Sequence, residues 1–224
     1  MIPVKDLNPS RSFPLVNASI VLVCTLVWLY EWSLTKVVVQ TPEGPKTAFE
    51  LFIRQWGLVP AELLERPYTL ITHMFLHGSW GHFIGNMWFL WVFGDNVEDR
   101  LGKVRYLIFY LLSGIGAALT QTVVSLLFGG ANVPMVGASG AISGVLAAYM
   151  KLFPGARVLA LVPVFFFLYF VEVPAVVFIT LWFTVQIING IYSLPFLGKG
   201  GIAWYAHIGG FLTGYYLVDF FKKR

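Results

Sequence analysis

The sequence predicts an all-α polytopic membrane protein, a bundle of six transmembrane helices, and three observations predict it. Composition is the first: of 224 residues 58% are hydrophobic and only 12% charged, with 8 Trp and 20 Phe, a balance foreign to soluble domains. Apolar stretches of spanning character are the second, at residues 15–39, 80–98, 104–128, 137–153, 170–193 and 202–221, read with Gly, Pro and Trp as tolerated members. The third is charge placement. Lys5, Arg11, Arg100, Lys103, Arg105, Lys151, Arg157, Lys222, Lys223 and Arg224 fall on one side of six spans, against Lys36, Lys46, Arg54, Arg66 and Lys199 on the other. The richer side is expected to be cytoplasmic and to hold both termini.

Each element follows from local features. Span one exceeds the ~7–15-residue apolar core of a cleaved signal and lacks a small-x-small cleavage site, so it is read as retained. Residues 40–79 form an external connection mixing charge with Phe49, Leu51, Phe52 and Trp56, as short amphipathic helices in the interface would. Span four is short: residues 137–153 rise roughly 25 Å as a helix, less than a ~30 Å hydrocarbon core. Its first residues therefore start below the outer surface, and the loop at 129–136 must descend to meet them. Irregular backbone at that depth needs shelter or a wet cavity. No repeat or linker interrupts the chain, which is read as one membrane domain over residues 1–224 in contact with the lipid bilayer.

Composition also excludes classes. The net charge of +4 is scattered along the chain, which argues against nucleic acid as partner. Cys24 is the only cysteine, so neither an intrachain disulfide nor thiol-pair redox chemistry is available. A transporter is disfavoured because the buried polar groups gather at the outer side and no carboxylate within the spans is read as a coupling site.

Spans two, four and six all enter from the outer face, and each carries polar groups near that entrance. His82 and Asn86 open span two, Gly137-Ala138-Ser139-Gly140 opens span four, and His207 lies in Trp204-Tyr205-Ala206-His207-Ile208-Gly209-Gly210 of span six. Small residues form facing stripes, Gly140, Gly144 and Ala148 on span four and Ala203, Gly210 and Gly214 beside His207 on span six. Two backbones can then approach until a short serine side chain reaches an imidazole, about 2.6–3.2 Å away. A Gly-xxx-Gly stripe alone usually signals helix packing and a membrane serine usually bonds its own helix. A buried histidine within a span is a functional candidate by default. His73, His77 and His82 suggest a metal cluster, but no His-Glu-x-x-His motif is present, and neither metal nor cofactor is expected. Asp95, Glu98, Asp99 and Glu172 lie at the cytoplasmic side, too far to orient His207, so a dyad is implied. Trp88, Trp91, Trp182 and Trp204 are read as interfacial anchors.

These residues resemble the rhomboid family of intramembrane serine proteases. Gly137-Ala138-Ser139-Gly140 is similar to its Gly-x-Ser-Gly nucleophile motif, and Ala206-His207-Ile208-Gly209-Gly210 with Gly214 to its base-bearing helix. His73, His77, His82 and Asn86 follow its His-x3-His-x4-His-x3-Asn pattern. The resemblance implies that Ser139 attacks the scissile carbonyl and His207 serves as base, with His82, Asn86 and the Ser139 N–H stabilising the oxyanion and Gly137, Gly140 and Gly210 in support. It implies transmembrane protein substrates entering beside span five and cut near the outer face, and a mobile cap at residues 193–201. A catalytically silent binder of transmembrane clients is the alternative. Two departures stand out. Tyr68-Thr69 replaces a Trp-Arg pair, and Ser143 stands where some members stack a tyrosine on the base. The short chain fits a bacterial inner membrane.

Overall fold

The computed structural model describes residues 1–222. Lys223 and Arg224, two of the basic residues used to orient the spans, lie outside the described residues. The fold is helical and polytopic. Among the described residues three helical stretches are long and apolar enough to cross a bilayer by length and composition: α1 (Leu15–Leu34), α5 (Lys103–Phe128), and α7 (Ala175–Ser193) with its 3-10 continuation to Lys199. Among them pack α4 (Trp80–Leu101), α6 (Ser139–Leu152) and α8 (Trp204–Phe221).

The acidic residues at the end of α4 finish a neighbouring helix. α1 has no side-chain cap of its own, and the Glu98 carboxylate accepts the N–H groups of Val16 (3.1 Å) and Asn17 (2.7 Å). Orphan amides at a helix start are thereby satisfied by an anion at the positive end of the dipole. Asp99 accepts from the Ser12 hydroxyl beside it.

Spans four and six are trimmed by at most two residues at either end, and two others give way to strand. Span one was expected to reach 39, but α1 stops at Leu34 and the Val37-Val38-Val39 run feeds a hairpin of β2 (Val38–Thr41) and β3 (Gly44–Thr47). Span five was expected from 170, but residues up to Pro174 are strand and α7 begins at Ala175. β1 (Ile2–Asp6), β4 (Arg157–Val164) and β5 (Phe167–Pro174) form an antiparallel sheet in the order β1-β4-β5, with Asp6 opposite Val158 and Arg157 opposite Pro174. β-Branched and aromatic residues favour extended chain, and Pro163 and Pro174 deny a helix its amides. The sheet is tied to the bundle through Asp6, whose carboxylate accepts from the Tyr149 hydroxyl at 2.9 Å and from Asn96 Nδ2 at 2.6 Å. Burial, with Asp95 nearby, raises the Asp6 carboxyl to about 6.

The segment between α1 and α4 contains α2 (Ala48–Trp56), α3 (Thr69–Thr72) and two 3-10 turns, Pro60–Glu62 and His73–Phe75. α2 starts in a capping box between Thr47 and Glu50, the reciprocal satisfaction of two orphan amides. Glu62 pairs with both Arg54 and Arg66, and Arg66 Nη1 donates to the Arg54 carbonyl at 2.9 Å. Arg66 thus ties the segment together just before Tyr68-Thr69, the pair that replaces Trp-Arg and with which Arg66 is out of register. Glu31 is a carboxylate within span one that the sequence reading did not single out. It is fully buried on α1, and its carboxylate accepts the His77 N–H at 3.1 Å, fastening the segment to the bundle.

Candidate active site

α4, α6 and α8 all begin at the end of the bundle opposite the termini, and each contributes from its first turns. Gly137, just before α6, has φ of +125°, a left-handed conformation that glycine adopts without penalty. Its N–H donates to the His73 carbonyl at 2.8 Å. A Cβ there would lie 2.6 Å from His82 Nε2, so this glycine makes room for the histidine beside the start of α6. Ser139 follows as the first residue of α6, whose N-terminus has no side-chain cap.

His207 sits in the first turn of α8, and its Nε2 lies 2.8 Å from Ser139 Oγ. The two helices cross at glycines: a Cβ on Gly210 would overlap the Gly140 carbonyl, and one on Gly214 would overlap Gly144. No larger residue permits that separation, which converts the small-residue stripes into a serine–imidazole contact. Ser139 and His207 line an open cavity of about 930 Å³ together with His82, Asn86, Trp182 and Gln186. Phe196 and Leu197, from the segment read as a cap, line it from the Leu194–Lys199 turn.

His82 Nδ1 accepts the Gly78 N–H at 3.4 Å, which leaves the ring proton to Nε2. Asn86 Nδ2 is buried and has no hydrogen-bond partner among the described residues. Two side-chain donors therefore border the cavity beside the α6 N-terminus, where first-turn amides lack helical acceptors. A negative charge developing on a bound carbonyl would meet all three. Ser143 points elsewhere: its hydroxyl donates to the Ser139 carbonyl at 2.6 Å.

The remaining histidines belong to the scaffold. His73 is buried with Nδ1 2.7 Å from the Thr69 carbonyl, and burial lowers its ring to about 4. His77 stands edge-on to His82 and Phe83, lowered by burial to about 3. Among the described residues no group of histidines and acids could hold a metal ion.

Three side chains near His207 escaped the sequence reading. Trp182 and Trp204, read as interfacial anchors, each place a ring 5.9 Å from the imidazole. Gln186 Oε1 lies 2.8 Å from His207 Nδ1. The available signal was a buried amide within the apolar run of α7, since polar groups placed in spans tend to be functional.

A helical membrane bundle holding a serine and an imidazole in hydrogen-bonding contact beneath an open cavity defines a class of membrane protein with a sheltered, water-reachable polar centre. The chain belongs to the rhomboid family: the Rhomboid domain model matches residues 64–224. It is 33% identical to RHOMBOID-like protein 4 of Arabidopsis thaliana over 153 residues, 68% of this chain and 34% of that protein. It is 32% identical to Rhomboid protein 1, mitochondrial, of Saccharomyces cerevisiae over 112 residues, 50% of this chain and 32% of that protein. With the presenilin-associated rhomboid-like protein, mitochondrial, of Bos taurus it shares 30% identity over 176 residues, 75% and 41% of the two. The chain thus spans less than half the length of these relatives. The Rhomboid match and the apolar helices support a membrane location, while the three relatives are eukaryotic, two of them named mitochondrial, and lend nothing to a bacterial inner membrane.

Proposed function

We propose that this chain is a serine endopeptidase that cuts transmembrane segments of other membrane proteins near the end of the bundle remote from its termini. The observation that carries the reading is the 2.8 Å contact between Ser139 Oγ and His207 Nε2 at an open cavity. Ser139 Oγ attacks the scissile carbonyl carbon while His207 Nε2 takes its proton. The carbonyl oxygen becomes an oxyanion held by Asn86 Nδ2, His82 Nε2 and the Ser139 N–H. As the intermediate collapses, the C–N bond breaks and His207 returns the proton to the leaving amine, leaving an ester on Ser139. Water, deprotonated by His207, then hydrolyses that ester. A substrate helix must unwind locally first, because its carbonyls are engaged in its own hydrogen bonds.

The test is purified protein in proteoliposomes with a labelled single-span substrate. Cleavage is expected to fall to background in Ser139→Ala and in His207→Ala, and a fluorophosphonate adduct to map to Ser139. Cleavage that survives both substitutions defeats the proposal. Single-span clients that co-purify uncut with the parent protein would mark a binder instead.

A further inference from the structure

We propose that Gln186 on α7 is a positioning residue for His207, a neutral third member that fixes which ring nitrogen faces Ser139. The inference rests on the proteolytic reading above and extends it from two residues to three. An imidazole has two nitrogens, and only the one without a proton can accept from a serine hydroxyl. His207 Nε2 faces Ser139 Oγ, so the base is competent only when its proton sits on Nδ1.

The Gln186 amide enforces that arrangement. Its Oε1 lies 2.8 Å from His207 Nδ1, and its Nε2 donates to the Trp182 carbonyl at 2.9 Å. A carbonyl oxygen accepts and never donates, so the nitrogen nearest Trp182 must be the amide NH2. Turning the amide over would set oxygen against oxygen at Trp182 and, on the Nδ1–H tautomer, N–H against N–H at His207. One amide orientation therefore satisfies both neighbours, and in it Nδ1 must carry the proton.

An incidental contact of a buried amide would look different. A glutamine on a lipid-facing helix satisfies itself on its own preceding turn, and Gln186 does so with its nitrogen alone. Its oxygen is turned across the helix interface to α8, and the residue is 4% exposed on a helix most of whose residues are not buried. Nor does another polar group do this work. Ser143 bonds its own helix, and the groups flanking the ring are Trp182 and Trp204. Aromatic faces confine an imidazole in a slot without distinguishing its tautomers. Gln186 supplies the distinction.

The test combines kinetics with a readout that needs no turnover. Gln186→Met keeps length and removes the acceptor, while Gln186→Glu keeps an oxygen able to accept from Nδ1. Hydrogen-bonded partners that orient a functional imidazole contribute about 10–100-fold, and the wrong tautomer in soluble triads costs about 10⁴ in kcat. For a neutral amide the expected loss in Gln186→Met is about 10–100-fold in kcat with KM held within about twofold, and Gln186→Glu returns kcat to within about tenfold of the parent. In ¹⁵N-histidine spectra of the substrate-free protein, which has four histidines, His207 is expected as the Nδ1–H tautomer in the parent and as a mixture in Gln186→Met. Unchanged kcat in Gln186→Met, or an Nε2–H tautomer in the parent, overturns the proposal. A parent that neither cleaves nor labels, yet shows an Nδ1–H tautomer that Gln186→Met abolishes, sinks the proteolytic reading and supports the positioning contact.

Discussion

Replacing Gly210 by alanine puts one methyl group where α6 and α8 cross, and the structure sets how far the helices must part. The new Cβ would lie 2.8 Å from the Gly140 carbonyl carbon and 3.3 Å from the Ala117 Cβ, and it would overlap the Gly140 oxygen outright. Ordinary carbon–carbon contacts begin near 3.5–4.0 Å, so α8 has to move by about 1 Å. All of these obstacles are backbone or a rigid methyl, so none can swing aside. Added to the 2.8 Å between Ser139 Oγ and His207 Nε2, that displacement carries the pair beyond the ~3.2 Å limit for a useful proton transfer. General-base assistance is worth about 10²–10⁴ in rate, while overpacking costs about 1–3 kcal/mol of stability. Gly210→Ala is therefore expected to fold with a lowered Tm and to lose at least about a hundredfold in kcat. The assay is single-span substrate cleavage in proteoliposomes, with Tm measured in parallel. Gly155→Ala is the control, because nothing lies within 4 Å of a Cβ there. A Gly210→Ala protein within twofold of the parent in kcat would refute the argument that glycine contact sets the distance.

Asn86→Leu removes an unpartnered buried donor with little change of shape; kcat should fall about 10²–10³-fold, measured on the same substrate, while fluorophosphonate labelling of Ser139 persists. Asp6 titrates higher in the fold than its ordinary 3.8, at about 6, so its contribution is complete below 3.8 and is lost as pH rises through 6. Hydrogen exchange at residues 2–6, corrected for intrinsic rates, should accelerate between about pH 4 and 6, and Asp6→Asn should abolish that dependence. His73 shifts the other way, from 6.5 to about 4. Its neutral form is favoured by folding, so stability is highest above 6.5 and declines by about 3 kcal/mol in total as pH falls to 4. Thermal midpoints measured from pH 7 down to 4 should flatten in His73→Gln, if that variant retains the parental fold by circular dichroism.

The meeting of Ser139 with His207 was legible because it rests on spacing. Glycines four apart on two helices, with Ser139 adjoining one stripe and His207 the other, leave few other geometries for a close crossing. The sheet was not legible in the same way. From Val158 to Val171 no polar group other than the Tyr169 hydroxyl breaks the run, and a continuously apolar strand cannot be told from a helix when neither period shows. Pro163 and the β-branched and aromatic residues of the run were the local signs of extended chain. Gln186 is visible as an amide in an apolar run, but its partner could not be read, for a different reason. Its significance depends on which face of α7 turns toward α8, and an apolar helix without a polar face carries no information about its rotation. Glu31 was overlooked within span one. Its partner, the His77 N–H, is a backbone group whose position follows from tertiary structure alone.

α6 also explains why a membrane protein spends so much chain between α1 and α4. Its 14 residues rise about 21 Å, leaving roughly 9 Å of a ~30 Å core to non-helical backbone. Each unpaired amide or carbonyl at that depth would cost several kcal/mol. Apart from the Gly129 and Val133 amides, which pair with the Ser125 and Gly130 carbonyls, the pairs come from one source. Leu58 exchanges hydrogen bonds with Met135 at 2.9 and 2.8 Å, the Ala61 N–H donates to the Ala131 carbonyl at 2.9 Å, Arg54 donates to the Asn132 carbonyl at 2.9 Å, and the His73 carbonyl receives the Gly137 N–H at 2.8 Å. Each of these last partners lies between residues 54 and 73, in the segment that Arg66 and Glu62 tie together and Glu31 fastens to α1. That segment does for the descending loop what water would do in a soluble protein, so the serine can begin its helix below the surface with its approach still open to solvent.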